Sequence, residues 1–224
     1  RAGYAYVDAQ IGNPTTSSTA TSNFEELAIA NLNHPVVAPA QYANKHNITI
    51  AATFEQEFIE DHPTSLSFFF RARSGRPFSY TFDGDTGEDF FGDTDDEERI
   101  LFYVPTGPND PLVDLSGLSA SDTTAFFNFL ESSGLSKYAG QVSPRNGFEQ
   151  PWSTDLDIRF QQDIPTPFEG HKLELFVDFE NFLNFLGSGN NIQRYADNGA
   201  VAEGVPVAPA AIVNGQYVIT SFNP

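Results

Sequence analysis

The sequence predicts an all-β fold made of long antiparallel strands, each with one apolar and one polar face. The clearest strand spans 152–162, where the even positions from Trp152 to Phe160 are apolar or Thr and the odd positions are polar or charged. Because side chains in a strand alternate between its faces, this segment predicts a strand that lies between an apolar phase and water. Several such strands of about ten residues are typical of a large transmembrane β-barrel.

Four more segments carry the same alternation, and aromatic residues are abundant in them. The chain has 22 Phe, 8 Tyr and 1 Trp, which suits a lipid-facing band with aromatic girdles or, alternatively, a Phe-rich soluble core. In two strands a phenylalanine, Phe69 or Phe176, interrupts the polar face. The predicted strands are 3–9, 47–58, 64–73, 152–162 and 172–180.

The connections between these strands alternate in length. Short turns at 59–63 and 164–170 contrast with long segments at 10–46, 74–151 and 181–215. Long loops on one side and short turns on the other are typical of outer-membrane barrels, whereas a soluble sandwich has short loops at both ends. Within one long loop, residues 120–133 predict a short helix, with Ser119 or Ser121 as its N-cap and Gly134 as its stop.

Composition excludes several classes of function. Lys and Arg number 11 against 30 Asp and Glu, and a net charge of −19 argues against nucleic-acid binding. The absence of Cys excludes disulfides and thiolate chemistry, and no apolar run is long enough for a membrane helix. No nucleophile elbow or phosphate loop is present, so we expect neither an enzyme nor catalytic residues. No zinc-ligand spacing is found among the histidines, which are His34, His46, His62 and His171.

The densest group of carboxylates lies at 83–98. Asp83, Asp85 and Asp89, with glycines between them, could form an oxygen cage for Ca²⁺. Gly87 and Thr94 stand where a calmodulin-type loop has ligands, so a solvated acidic loop is the preferred interpretation. We therefore assign no cofactor or metal ligand and keep Ca²⁺ as an alternative.

Charges and rings on the strands suggest two structural roles. The Asp155 and Asp157 pair could suggest glycosidase chemistry, but a hydrated wall with ion pairs is preferred. Rings near the strand ends predict a membrane interface, or else ordinary cross-strand packing. Four cations are expected to pair across strands with Asp155, Asp157, Glu174 and Asp178; they are Arg71, Arg73, Arg159 and Lys172. The rings near the strand ends are Tyr4, Tyr6, Phe78, Tyr80 and Trp152.

A set of short motifs occurs along the chain in a definite order, and the most specific of them lie within 64–184. They are Arg145-Asn146, Pro151-Trp152, Ile164-Pro165 and Asn181-Phe-Leu-Asn184, with 73–80 and 99–106 before them. Together they resemble the C-terminal part of TonB-dependent outer-membrane receptors of the Oar-like, carboxypeptidase-regulatory-domain type.

The resemblance implies a section of a bacterial outer-membrane barrel. Residues 1–224 would be the late part of a ring of about 22 strands, roughly the 17th to 21st, without the plug domain and the closing strand. The implied function is TonB-dependent uptake of an unidentified nutrient. The implied partners are outer-membrane lipid, the rest of the receptor and, through the plug, the TonB complex. The alternative is a secreted, soluble β-rich surface or adhesin module with acidic, calcium-binding loops.

Overall fold

The computed structural model describes residues 1–13, 18–20, 23, 28–31, 33–83, 100–168, 170–187 and 205–222. The helices of this part are α1 (Ala120–Ser132), a 3₁₀ turn (Leu135–Tyr138) and α2 (Phe182–Leu186). The strands are β1 (Ala2–Tyr6), β2 (Gln10–Ile11), β3 (Ala38–Pro39), β4 (His46–Ile59), β5 (His62–Arg73), β6 (Pro77–Phe78), β7 (Tyr80–Asp83), β8 (Val113–Asp114), β9 (Phe148–Glu149), β10 (Ser153–Ile164), β11 (Leu173–Phe179), β12 (Val205–Val213) and β13 (Gln216–Ile219).

The chain folds as two compact units. We call the first the sheet unit; it comprises Arg1–Asp8, Asn44–Arg76 and Gln150–Arg194. We call the second the core unit; it comprises Ala9–Ala43, Pro77–Glu149 and Tyr195–Pro224. The core unit is built almost entirely from the three long connections, which the sequence predicted to be loops.

The sheet unit holds one antiparallel sheet in the order β1-β4-β5-β10-β11. These are the five strands that the sequence predicted, so the prediction of an all-β, antiparallel fold is confirmed for this unit. A tight turn joins β4 to β5, with Asp61 in the left-handed region at a φ of 61°. A bulge between Glu57 and Ile59 precedes that turn. The described strands form no closed barrel, so the size of a barrel stays a prediction.

The pairing register places all five predicted apolar faces on the same side of the sheet. Ile158, for example, pairs with Phe68 on one neighbour and with Phe179 on the other. Since the side-chain period of a strand is two, a slip of one residue in any strand would mix the faces. The apolar face carries Tyr4, Tyr6, His46, Ile48, Ile50, Ala52, Phe54, Leu66, Phe68, Phe70, Ala72, Thr154, Leu156, Ile158, Phe160, Leu173, Leu175, Val177 and Phe179.

The core unit contains a small mixed sheet around an aromatic core. Its strand order is β7-β12-β13-β8, in which β12 pairs with β13 antiparallel while the two outer pairs are parallel. Two-stranded pairs β2-β3 and β6-β9 complete it. The predicted helix is confirmed as α1, with Ser119 as N-cap and Gly134 beyond its end at a φ of 79°. The buried cluster is Phe78, Tyr80, Phe82, Phe102, Tyr103, Val104, Val113, Phe126, Leu130, Leu135, Ile219 and Phe222.

The helices of the described residues are short. Among them, no helix is both long and apolar enough to cross a membrane.

Candidate functional site

The apolar face of the sheet unit is the main candidate for a functional surface, because most of its side chains are partly or largely exposed within the described part of the chain. Ala72 is the only hydrophobic residue of this unit that is buried within the described part of the chain. Leu173 and Leu175 are about half exposed, and Leu156 and Ile158 are partly exposed. An exposed apolar surface that runs across five strands marks a contact with lipid or with another protein.

Four rings form a row across this face at the end where the long connections leave the sheet, which we call the long-connection end. His46 lies between Tyr6 and Trp152, with ring centroids 5.4 and 5.8 Å away. The Tyr4 hydroxyl is 2.8 Å from His46 Nδ1, within hydrogen-bonding distance. Tyr4, Tyr6 and Trp152 all stay about half exposed or more. The predicted interfacial rings Tyr4, Tyr6 and Trp152, the last directly before β10, therefore lie together. His46 lies among them, although nothing in the sequence indicated this contact.

The opposite, short-turn end of the sheet also carries exposed rings. Phe58 at the end of β4 is 77% exposed, and Phe168 in the turn before β11 is 68% exposed. Phe168 packs edge-on against His171 at a centroid distance of 6.0 Å. Aromatic residues thus lie at both ends of the sheet.

Two rings predicted to be interfacial lie elsewhere. Phe78 and Tyr80 are buried in the core unit, where both contact Phe148. For these two residues the interface interpretation is wrong, and ordinary packing is correct. Both lie close to a predicted strand end, and the sequence does not reveal that this segment enters a separate core.

The polar face of the sheet carries the cross-strand ion pairs that the sequence predicted. Arg71 donates to Asp155 Oδ2 from Nε and Nη2 at 3.2 and 2.9 Å, and Arg73 lies 4.0 Å from the same oxygen. Arg159 donates two hydrogen bonds to Asp178, at 2.6 and 2.7 Å. The Arg159 guanidinium also lies 5.0 Å from the centre of the Phe176 ring.

The remaining predicted charges of this face have other surroundings. Asp157 accepts a 2.9 Å hydrogen bond from the backbone N–H of Asn181, at the start of α2. Glu174 and Lys172 are exposed. Asp155 and Asp157 are thus engaged by an arginine and a backbone amide, an arrangement that suits a structural wall.

Residues 84–98 of the predicted acidic loop lie outside the described residues. Within the described ranges, no three His, Asp or Glu side chains are grouped closely enough to hold a metal ion. The four histidines are spread over the ring row, the turns and one connection.

Sequence reasoning missed a buried carboxylate in the core unit. Asp110 is 5% exposed and accepts hydrogen bonds from the backbone N–H groups of Thr106 and Leu112, at 2.7 and 2.9 Å, and from the Thr106 and Tyr103 hydroxyls. Burial raises the pKa of Asp110, but these hydrogen bonds outweigh burial and hold it below its usual value. Asp110 thereby fixes the conformation of the loop 105–112. In the sequence, its position between Pro108 and Pro111 is the signal that could have predicted a turn here.

The Arg145-Asn146 pair of the sequence resemblance also acts in the core unit. Asn146 adopts a φ of 51°, and its amide nitrogen donates to the Pro39 carbonyl at 2.8 Å. Arg145 donates to the Ile11 carbonyl at 2.6 Å. The pair therefore ties separate long connections together.

Comparisons with protein-family models, curated proteins and solved structures found no match for this chain.

Proposed function

We propose that the sheet unit is a section of the wall of a large transmembrane β-barrel in the bacterial outer membrane. In this proposal the apolar face contacts lipid and the polar face lines an enclosed, hydrated interior. The observation that carries the proposal is the uncovered apolar face, in register across five strands. Lipid acyl chains would shield such an apolar face from water, so it would need no protein to cover it.

The length of the strands supports the proposal. The 12 residues of β10 extend for about 40 Å at about 3.4 Å per residue. At a tilt of about 40° this projects to about 30 Å, which matches the hydrocarbon layer of a bilayer. The hydroxyl of Tyr4 and the indole of Trp152 lie at one end of the face, where amphipathic rings prefer the interface.

The edges of the sheet imply further strands. Among the described strands, β1 and β11 each pair on one side only. In a membrane every backbone N–H and C=O needs a partner, so both outer edges require neighbouring strands. The rest of the same receptor would supply them.

We further propose that this barrel is a TonB-dependent receptor that takes up a nutrient. The support is the ordered set of motifs from Arg145 to Asn184 and the alternation of short turns with long connections. The plug domain and the TonB complex are the partners that this proposal requires. No covalent chemistry is proposed.

A secreted, soluble surface module is the second candidate. The aromatic core of the core unit favours it, because Phe82, Phe102 and Phe126 are almost completely buried, as in a body that is stable in water. In this case a second copy of the chain would cover the apolar face of the sheet unit.

Spin labels distinguish the two candidates. Because the chain has no Cys, single cysteines at consecutive positions of β11, from Leu173 to Asp178, each give one labelled site. In membranes from the producing cells, we expect labels at Leu173, Leu175 and Val177 to be accessible to molecular oxygen, which dissolves in lipid. We expect labels at Glu174, Phe176 and Asp178 to be more accessible to the nickel-EDDA complex, which is soluble in water, than to oxygen.

Two outcomes would contradict the membrane proposal. Low accessibility of the apolar positions to both reagents means that protein covers the face. A chain that is recovered folded in the soluble fraction, without detergent, supports the secreted module.

A further inference from the structure

A shallow groove on the polar face of the sheet unit has a chemistry that a plain hydrated wall does not need. It has a volume of about 390 Å³, within the range of small-molecule sites. Its lining includes Ala51, Phe69, Asp157, Arg159, Asp178 and Glu180. It lies on the polar face whichever phase covers the apolar face, so it is independent of the function proposed above.

The floor of the groove is aromatic. Phe69 pairs with Ala51 on one neighbouring strand and with Asp157 on the other, so its ring lies between a methyl group and a carboxylate. Phe69 is 43% exposed although its neighbours along β5 on this face, Ser67 and Arg71, are polar. The small Ala51 leaves the ring open, and a flat apolar group can pack on it.

The wall of the groove is negatively charged. Three carboxylates, those of Asp157, Asp178 and Glu180, accompany the single guanidinium of Arg159. Arg159 donates both of its short hydrogen bonds to Asp178, so that pair is internally neutralised. The surplus negative charge belongs to Asp157 and Glu180, at the side of the groove that leads to α2.

We propose that this groove binds small organic cations, with an ammonium group at Asp157 and Glu180 and an apolar or aromatic body on Phe69. Charge complementarity selects the cation over an anion of the same size. The ring selects an organic cation over a simple metal ion, because the apolar body of an organic cation can pack on the aromatic face and a hydrated metal ion has no such body.

The test uses the full chain and para-fluorophenethylamine, which is an ammonium ion at neutral pH, followed by fluorine NMR. The neutral analogue, para-fluorophenyl ethanol, has the same ring without the charge. We expect the amine to bind about tenfold more tightly than the alcohol, as expected for an ion pair in a partly desolvated site.

Matched variants separate the groove from the general attraction of a polyanion. Asp157→Asn with Glu180→Gln removes two groove charges and should weaken binding of the amine about tenfold. Glu57→Gln with Asp163→Asn removes two charges from the short-turn end of the same face and should change binding less than about twofold. Phe69→Leu should weaken both amine and alcohol.

Equal weakening by both double variants, or equal binding of amine and alcohol, would overturn the proposal. If Phe69→Leu binds the amine and the alcohol as tightly as the wild type does, the proposed packing of the ligand on the Phe69 ring would be overturned. Circular dichroism of each variant verifies that the strands are retained.

Discussion

Arg159 lies directly opposite Asp178 on the neighbouring strand, and its guanidinium is joined to that carboxylate by two parallel hydrogen bonds. About half of the Arg159 side chain is exposed, with Phe176 beside it. The pair fixes the orientation of charges on the polar face near the groove.

This pair should respond to salt. Asp178→Asn should lower the thermal midpoint of the full chain in detergent at low ionic strength, because a charge-assisted fork is replaced by a weaker bond. Since the pair is exposed, the difference from the wild type should shrink in molar salt. Calorimetry at both ionic strengths measures this, with Gln161→Asn, an uncharged change on the same strand, as the control whose effect should not depend on salt. A difference that is independent of salt would contradict an exposed ion pair.

Asp110 should make the core unit sensitive to acid. Its folded pKa is lowered, so its contribution to stability is fully present above the unfolded pKa of about 3.9 and is lost as the pH falls through the lower folded pKa. Asp110→Asn should destabilise by about 1–3 kcal/mol at neutral pH, because the amide cannot accept from all the donors that meet the two oxygens.

The pH dependence of thermal unfolding checks this prediction. The difference between wild type and Asp110→Asn should be largest above about pH 5 and should narrow below about pH 4. Asp114→Asn is the comparison variant: hydrogen bonds from Ser116 also lower the pKa of Asp114, but Asp114 is less buried than Asp110, so its variant should show the same direction of pH dependence with a smaller amplitude. A difference that grows in acid would contradict the assigned role.

Phe126 should be essential to the aromatic core. Its ring is fully buried and lies 5.3 Å from Phe222 and 6.2 Å from Phe102, between centroids. Phe126→Ala should destabilise the core unit by about 3–5 kcal/mol through lost contacts and a cavity. Phe185→Ala, at an 81% exposed position, should have little effect on the same denaturation curve. Similar effects of both variants would argue against the described core.

Gly75 should not tolerate a side chain. A Cβ at this position would collide with the backbone carbonyl of Gln150, and a backbone cannot move aside as a flexible side chain can. Gly75→Ala should destabilise the sheet unit by about 1–3 kcal/mol, as overpacking does. Gly107→Ala is the control, because no atom lies within 4 Å of its added Cβ. Hydrogen exchange of the β4, β5 and β10 amides would localise the effect, and unchanged exchange would contradict it.

Trp152 offers a direct measure of membrane depth, because it is the single tryptophan of the chain. If the ring row lies at the interface, lipids brominated near the head group should quench its fluorescence more than lipids brominated deep in the acyl chain. A paired variant, Trp152→Phe with Phe168→Trp, moves the reporter to the short-turn end and should show the same shallow pattern. Stronger quenching by the deep bromines, or none at all, would contradict the proposed placement.

The sequence by itself determined the sheet unit. Alternation of apolar and polar residues predicted all five strands and both faces, because a side-chain period of two is a local property of an extended chain. It also predicted α1, because the cap at Ser119 and the stop at Gly134 are local signals. The ion pairs of Arg71 and Arg159 followed from the same alternation once neighbouring strands were paired.

Only the tertiary structure decided the rest. The core unit is assembled from segments far apart in sequence, through β strands that are mostly too short for a visible period and through buried groups such as Asp110. Phe78 and Tyr80 show the consequence, since a ring near a strand end has the same local sequence whether it enters a core or an interface. The groove at Phe69 likewise depends on which residues face it from neighbouring strands, and register is a property of pairing.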